Sequence, residues 1–404
     1  MITTELISRQ EDIRKLPNGW QRVKLREVCS IHPGQHILES DHHRKRIGIG
    51  YLTGPADFGE TYPNITKWTE NPKAWCEPGD VLVTVKGAGV GKLNLAPNEK
   101  VAIGRQLMAI RPCLHLVNQG FLYRVLITCF SKLQSKALGS TVPGLGRKDI
   151  ESLEIPLPPV AEQNRIAAIL DEQMEAVARS RQATLAQLEA AKDLPAAYLR
   201  AVFDSPEAQK WQWEKLEKLS TVVRGSSPRP KGDPRYYDGN VPRLLVEDVT
   251  RDGMYVTPRV DFLTEEGAKL SRPMKKGDVV MVVSGAPGLP SILAIDACIH
   301  DGFVGFRDVH PSILSNSFFF YFLKYAHDAT DSQAVGAIFR NLTTDQIKNI
   351  KVPLPPLSEQ QDIAETLTAH LAEVERLQQS LKSQLDAINK LSAVLLRRAF
   401  NGEL

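Results

Sequence analysis

The sequence has no long apolar run. The best candidate, FFFYFLKYAHDA from Phe318, is short and soon charged. It falls well below the roughly 20 residues a bilayer span requires and reads as a core helix. The opening stretch, MITTELISRQEDIRKL, has no apolar segment of the kind a signal peptide carries. Cysteine is scarce. Cys29, Cys76, Cys113, Cys129 and Cys298 form no Cys-x-x-Cys pair and no regular frame. That argues against a disulfide scaffold or a zinc ribbon and for reduced thiols in a cytoplasm. His32, His36, His42 and His43 lie close together in sequence, but with no carboxylate motif or helical spacing around them. They read as a polar loop, and no metal site is expected.

Catalytic signatures are missing too. There is no Gly-x-Ser-x-Gly, no His-Glu-x-x-His, and no Gly-x-Gly-x-x-Gly after a strand. No Asn/Asp-Pro-Pro-aromatic stretch of the adenine-methyltransferase kind occurs. VTVKGAGVGKL imitates a phosphate loop and fails at both ends: Leu93 follows Gly91-Lys92, and Lys86 stands where the first glycine belongs. A glycine turn that doubles the chain back after a buried strand fits it better.

What remains is ample for a folded protein. The chain has 404 residues, enough for two or three domains, and its 42% hydrophobic and 24% charged content suits a soluble globular chain. The net charge of +3 says little. Its distribution says more: residues 1–154 hold 21 Lys/Arg against 15 Asp/Glu, or +6, while residues 155–210 hold 6 against 8, or −2. A positive excess on a large block is a weak sign of a nucleic-acid surface.

The chain is written twice. IPLPPVAEQNRIAAIL (Ile155–Leu170) recurs as VPLPPLSEQQDIAETL (Val352–Leu367). With an offset of 197, residues 155–207 align with 352–404 without a gap, and about twenty of the 53 pairs are identical. Upstream, GDVLVTVKG (Gly79–Gly87) echoes GDVVMVVSG (Gly277–Gly285), and GWQRVKLREV at Gly19 echoes WQWEKLEKL at Trp211. Between these echoes the two large blocks diverge. Four segments follow: 1–154, 155–210, 211–351 and 352–404. Shared scaffolding thus carries two different readers. Strand signals (RIGIGYL, DVLVTV, QLMAIRP, RLLVEDV, DVVMVVS, ILAIDA) and helix signals (from Gly120 and from Asn316) give the large blocks an α/β (α+β) character.

The prolines of each Pro-Leu-Pro-Pro end a strand and permit a helix just after. Ser358 is expected to cap the second helix, with Gln361 completing a capping box; Ala161 stands at that place in the first. The second helix places Ile363, Leu367, Leu371, Val374, Leu377, Leu381, Leu385, Ile388, Leu391 and Leu395 at steps of three and four. The first places Ile166, Leu170, Met174, Val177, Leu185, Leu188, Leu194 and Leu199, and Pro195 is expected to kink or restart it. Neither seam is buried by its own helix, so the two should bury each other as an antiparallel coiled pair.

The order of variable domain, Pro-Leu-Pro-Pro-x-x-Glu-Gln-x-x-Ile-Ala and long helix, twice over, resembles the specificity subunits of Type I restriction–modification systems. GSSPRPKGDPRYYDGNVPRLLVEDV from Gly225 is similar to the Gly-x-x-Pro opening common in that family's target recognition domains; CSIHPGQHILESDHH in the first half departs from it. The resemblance implies two recognition domains joined by two antiparallel helices, a pseudo-twofold repeat within one chain, and an adaptor without chemistry of its own. Each domain would read half of a bipartite, asymmetric double-stranded DNA target. Two methylation subunits would dock, bring S-adenosylmethionine and methylate adenine N6; motor-nuclease subunits using ATP and Mg would join them. No membrane role is implied. A Type IIB-like specificity subunit and a self-sufficient DNA-modifying enzyme are the alternatives.

Residue chemistry then nominates contacts. Lys and Arg clamp phosphates, and Arg, Lys, Asn and Gln read base edges. The first domain offers Arg44, Lys45, Arg46, Lys86, Lys92, Arg105, Gln106, Arg147 and Lys148; the second offers Arg224, Arg229, Lys231, Arg235, Tyr236, Tyr237, Arg243, Arg340 and Asn341. For partner docking the helices offer Glu162, Gln163, Arg200, Glu359, Gln360 and Arg397.

Overall fold

In the computed structural model the chain forms two compact units, one of residues through Leu185 together with Ser383–Leu404, the other Ala186–Lys382. The structure describes residues 16–87, 89–138, 144–285, 287–328 and 343–404.

The first unit opens with β1 (Gln21–Lys24), α1 (Leu25–Val28) and β2 (Cys29–Pro33). Then come β3 (Ile49–Leu52), β4 (Trp68–Thr69), β5 (Trp75–Cys76), β6 (Val81–Thr84), β7 (Leu93–Leu95), β8 (Val101–Ile103) and β9 (Leu107–Pro112). Helices α2 (Gln119–Leu138) and α3 (Arg147–Glu151) lead to β10 (Glu154–Leu157) and α4 (Val160–Phe203). One antiparallel sheet has the order β2-β9-β6-β7; a second, β4-β3-β8-β5, contains the parallel pair β3–β8. VTVKGAGVGKL is the β6–β7 hairpin, with Thr84 N–H donating to Lys92 O at 2.9 Å and both Gly87 and Gly91 at positive φ.

The second unit follows the same plan with three elements added: β11 (Gln212–Lys215), α5 (Leu216–Leu219), β12 (Thr221–Arg224), β13 (Tyr237–Leu244), α6 (Val246–Asp252), β14 (Tyr255–Val256) and β15 (Asp261–Leu263). It continues with α7 (Glu265–Leu270), β16 (Arg272–Met274), β17 (Val279–Val282), β18 (Pro290–Leu293), β19 (Ala297–Ile299) and β20 (Phe303–Arg307). The additions are α6, β14 and α7. Helices α8 (Asn316–Asp328) and α9 (Thr344–Lys348) precede β21 (Lys351–Leu354) and α10 (Leu357–Phe400). Its sheets are β12-β20-β17-β18-β14 and β15-β13-β19-β16, with β13–β19 parallel like β3–β8. RLLVEDV is a strand only as far as Leu244. Asp248, buried, accepts from Leu245 N–H at 3.1 Å and turns VEDV into a helical start.

The duplicated phrase is a clasp. β1 pairs antiparallel with β10, so GWQRVKL at the start of the first domain closes on the Ile-Pro-Leu at its end. β11 and β21 do the same in the second, with Trp213 opposite Pro353. Ile155 and Val352 are fully buried at the matching position. Strand and helix then join through one side chain. Gln163 is buried, accepts from Asn118 N–H at 2.8 Å, and donates to Leu116 O at 3.0 Å and Pro158 O at 2.8 Å. Gln360 repeats the set with Ser315 N–H (2.9 Å), Ile313 O (2.8 Å) and Pro355 O (2.9 Å). The expected cap at Ser358 is not the helix start: Gln163 and Gln360 N–H bond to Pro159 O and Pro356 O, so a proline holds the capping position in both repeats. An apolar side chain in place of either Gln would strand two carbonyls and an amide in the core.

Each unit holds one end of both long helices. In the first, Ile166 and Leu170 near the start of α4 share a core with Leu396, Ala399 and Phe400 at the end of α10, and Phe400 meets Phe121 edge-on at 5.5 Å. In the second, Leu199 and Phe203 at the end of α4 share a core with Ala364 and Leu367 near the start of α10, and Phe203 stacks on Tyr325 at 5.0 Å. The helices therefore run antiparallel, as expected. The seam differs in detail. Val374, Leu381 and Ile388 are buried, but Leu377 and Leu391 are 43% and 44% exposed. The buried stripe advances in sevens, and Gln378 takes the seam position next to Leu377. In α4, buried Thr184 displaces Leu185 in the same way.

Pro195 does not restart α4, which is one helix of 44 residues. A proline has no N–H for the carbonyl four residues back, here Ala191. That carbonyl accepts instead from Gln378 Nε2 at 2.8 Å. The seam glutamine supplies the donor that the proline removes, so the helix continues through it.

Among the described residues no helix is long and apolar enough to cross a membrane. None of the five cysteines forms a disulfide; burial pushes the Cys29 and Cys76 thiols up to about 12.

Candidate nucleic-acid interface

In the second domain a cleft opens between the loop after β12 and the turn from β19 to β20. Gly225 makes the close approach possible. Its N–H donates to Phe303 O at 2.9 Å, and a Cβ there would lie 2.0 Å from His300 O. Ser226 N–H bonds Ile299 O at 3.2 Å. The cleft has a volume of about 290 Å³ and is lined by Ser227, Arg229, Lys231, Tyr237, Arg243, Leu245, His300 and Asp301.

Its floor is rigid. Arg243 is 7% exposed, is bound by Asp261 through Nε at 2.7 Å and through a second nitrogen, and covers the Tyr237 ring at 5.0 Å. Tyr237 is buried and donates to Pro228 O at 2.8 Å. Both are expected DNA contacts from the sequence; in the structure both line the cleft with their polar groups held by neighbouring residues. Arg229, 71% exposed, stands 3.6 Å from Asp301, and Ser227 donates to the Asp301 carboxylate at 2.6 Å. The Ser227 hydroxyl holds the Asp301 carboxyl below the usual range. Burial, then the Arg243 charge, lowers the His300 pKa. Gly302 N–H donates to His300 Nδ1 at 2.9 Å, which leaves that nitrogen bare and the ring neutral. The approach of Nδ1 to Asp301 at 3.7 Å is therefore no ion pair.

The first domain has the same frame. Gly34 N–H donates to Leu107 O at 2.9 Å, Gln35 N–H to Ile103 O at 3.0 Å, and a Cβ on Gly34 would lie 2.2 Å from Gly104 O. The sequence departs from Gly-x-x-Pro here, but the glycine holds the equivalent place. Tyr51, buried at the position of Arg243 in the strand pairing, bonds the Ile37 backbone. Exposed Arg105 and half-buried Gln106 stand where Asp301 and Gly302 stand in the second domain. Gln106 fills the space above Gly54, where a Cβ would come within 2.0 Å of its Oε1.

Other nominated residues spread more widely. Arg44, Lys45 and Arg46 are exposed on the loop before β3, with Arg46 over the Trp68 ring at 5.6 Å. Lys86 and Lys92 are exposed on the β6–β7 hairpin. Lys148 and Arg147 lie on α3, where Arg147 pairs with Glu151 at 2.6 Å. Exposed Arg224 donates to Asp301 O at 3.1 Å; Arg235 binds Asp233 at 2.7 Å and covers the Tyr236 ring at 5.2 Å. Arg340 and Asn341 lie outside the described residues. Sequence reasoning missed Ser227, His300 and Asp301; aligning VAIGRQL from Val101 with ACIHDGF from Ala297 would have found the turn. It also missed Lys100, which sits 3.8 Å from the Trp75 ring centre. Among the described residues no group of three or more His, Cys, Asp or Glu could hold a metal ion.

Of the residues nominated for docking, Gln163 and Gln360 have no exposed surface, and their bonds are spent on the clasp. Glu162 pairs with Arg165 at 2.8 Å, and Glu359 accepts from Trp211 Nε1 at 3.2 Å. Arg200 and Arg397 are exposed.

Two recognition modules of one frame, each closed by a clasp onto a long helix, match a known family. The model of the Type I restriction modification DNA specificity domain matches residues 17–190 and again 210–387. The chain belongs to that family. Such specificity subunits serve DNA recognition in restriction–modification systems. Over 161 residues the chain is 33% identical to a candidate MjaX type I specificity subunit of Methanocaldococcus jannaschii, covering 39% of this chain and 37% of that one. The MjaVIII type I specificity subunit of the same organism is 24% identical over 93% of this chain and 91% of its own length. The crystal structure of the HsdS subunit from Thermoanaerobacter tengcongensis superposes with a TM-score of 0.71 at 23% identity, over 96% of this chain and 98% of that one, and shares the fold.

Proposed function

We propose that this specificity subunit is a non-catalytic adaptor that reads a bipartite, asymmetric double-stranded DNA target, one half with each recognition domain. The observation that carries this is the duplicated backbone frame, with Gly34 and Gly225 at its close approach, bearing Arg105–Gln106 in one copy and Asp301–Gly302 in the other. Equal frames present their tips alike; unequal tips read different sequences. The helices α4 and α10 set the spacing between half-sites.

Two methylation subunits dock on the exposed faces of the helices, where Arg200, Arg397, Leu377 and Leu391 are available. They bring S-adenosylmethionine and methylate adenine N6; a motor-nuclease subunit brings ATP and Mg. A twice-repeated module suits two copies of one partner. The assembly works in the cytoplasm on the host's DNA.

The test is reconstitution. The purified chain, its partner methylation subunit and labelled S-adenosylmethionine are mixed with target-bearing DNA. Label should enter DNA only when both proteins are present. Transfer by this chain alone would make it an enzyme and sink the proposal.

A further inference from the structure

The cleft in the second domain has a feature that plain DNA affinity does not explain. Arg229, Lys231 and Arg243 surround it, yet a carboxylate, Asp301, stands at its tip. A surface meant only to grip phosphates gains nothing from an acid, because the acid repels them. Nor is Asp301 committed to holding the fold. Its side chain is 58% exposed; it accepts one hydroxyl, from Ser227, and an exposed ion pair to Arg229 at 3.6 Å. Such a pair is weak in water and opens readily for a better partner. With more than half of its side chain exposed, the carboxylate is open to a ligand.

The same position in the first domain holds Arg105, exposed, beside Gln106. The two positions are equivalent by backbone bonds: Gly34 to Leu107 and Gln35 to Ile103 in one domain, Gly225 to Phe303 and Ser226 to Ile299 in the other. One tip is a hydrogen-bond acceptor and the other a donor fork. Base edges divide along the same line: cytosine and adenine present amino donors in the major groove, and guanine presents two acceptors.

Resting on the reading of this chain as a DNA specificity subunit, we propose that the turn after the parallel strand pair is the base-reading element of each domain. Asp301 accepts from an exocyclic amino group, with Arg229 released toward the neighbouring acceptor of the same or the next base pair. Arg105 takes the two acceptors of a guanine in the other half-site. The half-sites thus differ at this turn because the tips carry opposite hydrogen-bonding character on one frame. Arg243 and Tyr237 position the turn and touch no base.

The test is methylome sequencing of a methylation-deficient host that expresses the partner methylation subunit with the wild-type chain, with Asp301→Ala, or with Arg105→Ala. Both positions are exposed, so the variants should fold; thermal melting of the purified complexes confirms it. Asp301→Ala should relax one base position in one half of the split motif, with methylation at the disfavoured bases rising roughly tenfold to a hundredfold. Arg105→Ala should relax one position in the other half. The gap should not change. Unchanged motifs in both variants would overturn the proposal. So would a uniform fall in methylation with the motif kept, which marks a phosphate clamp, or relaxation of the same half by both. A wild-type chain that directs no split motif sinks the specificity reading itself, and this inference with it; that failure shows before any variant is compared.

Discussion

Gln163 and Gln360 show what a repeated residue can mean. Their recurrence suggests a docking surface, but each is buried with two bonds to the turn before α2 or α8 and a third to a proline carbonyl of the Pro-Leu-Pro-Pro phrase. Substituting either by Ala strands those groups, each worth about 1–3 kcal/mol. Gln163→Ala and Gln360→Ala should each lower unfolding stability by about 3 kcal/mol, while Glu162→Ala changes it little; urea titration of the three proteins checks this. Equal small losses in all three would contradict the clasp. His300 makes a pH prediction. Its folded pKa lies below the ordinary 6.5 because it is buried beside Arg243. The unfolded chain then binds the proton more readily, so stability falls as pH drops through the ordinary histidine range toward the depressed value. Thermal melts between about pH 7.5 and pH 5 should show that loss, and His300→Gln should reduce it. An identical pH dependence in the variant would rule it out. Asp301 and Ser227 escaped sequence reasoning for a different reason. Asp301 belongs to no motif, Ser227 fills only a variable position of Gly-x-x-Pro, and only the pairing of β12 with β20 brings them together.

At the scale of elements, the long helices were the most legible part, because a seam written over many turns outlasts local exceptions. The errors sit where leucine spacing and helix geometry part. Leu377 and Leu391 look like seam residues by steps of three, yet a repeat of 3.5 places Gln378 there and leaves them exposed. Leu377→Ser should therefore be nearly neutral to stability, whereas Leu381→Ala should cost about 2–4 kcal/mol by thermal or urea unfolding. Comparable losses would put Leu377 in the seam. The expected restart at Pro195 does not occur because the remedy for a proline lies on another helix, out of reach of any local rule. Gln378→Leu should cost about 1–3 kcal/mol beside Pro195. Beside Pro195→Ala it should cost much less, since residue 195 then regains the N–H for Ala191 O. A double-mutant cycle measures the coupling, and a value near zero would refute the bond. The Gly34 hinge was hidden as well. Close approach to Gly104 O demands only the glycine, and the proline of Gly-x-x-Pro, used as the sign, is not what the geometry requires.

At the scale of the molecule, duplication was plain in the sequence and sets the architecture: two modules with matching sheets, the second extended by β14, around parallel pairs β3–β8 and β13–β19, each closed by its clasp. The side chains at the tips were not plain, since the two blocks diverge between their shared phrases. The central claim is that this one chain directs methylation to a split target. Methylome sequencing of a methylation-deficient host expressing the chain with its partner methylation subunit tests it most directly, with each protein omitted in turn. The account predicts N6-methyladenine at a motif of two unlike half-sites with an unread gap, lost when either protein is absent. Methylation by the partner alone, or none although the two proteins co-purify, would contradict it.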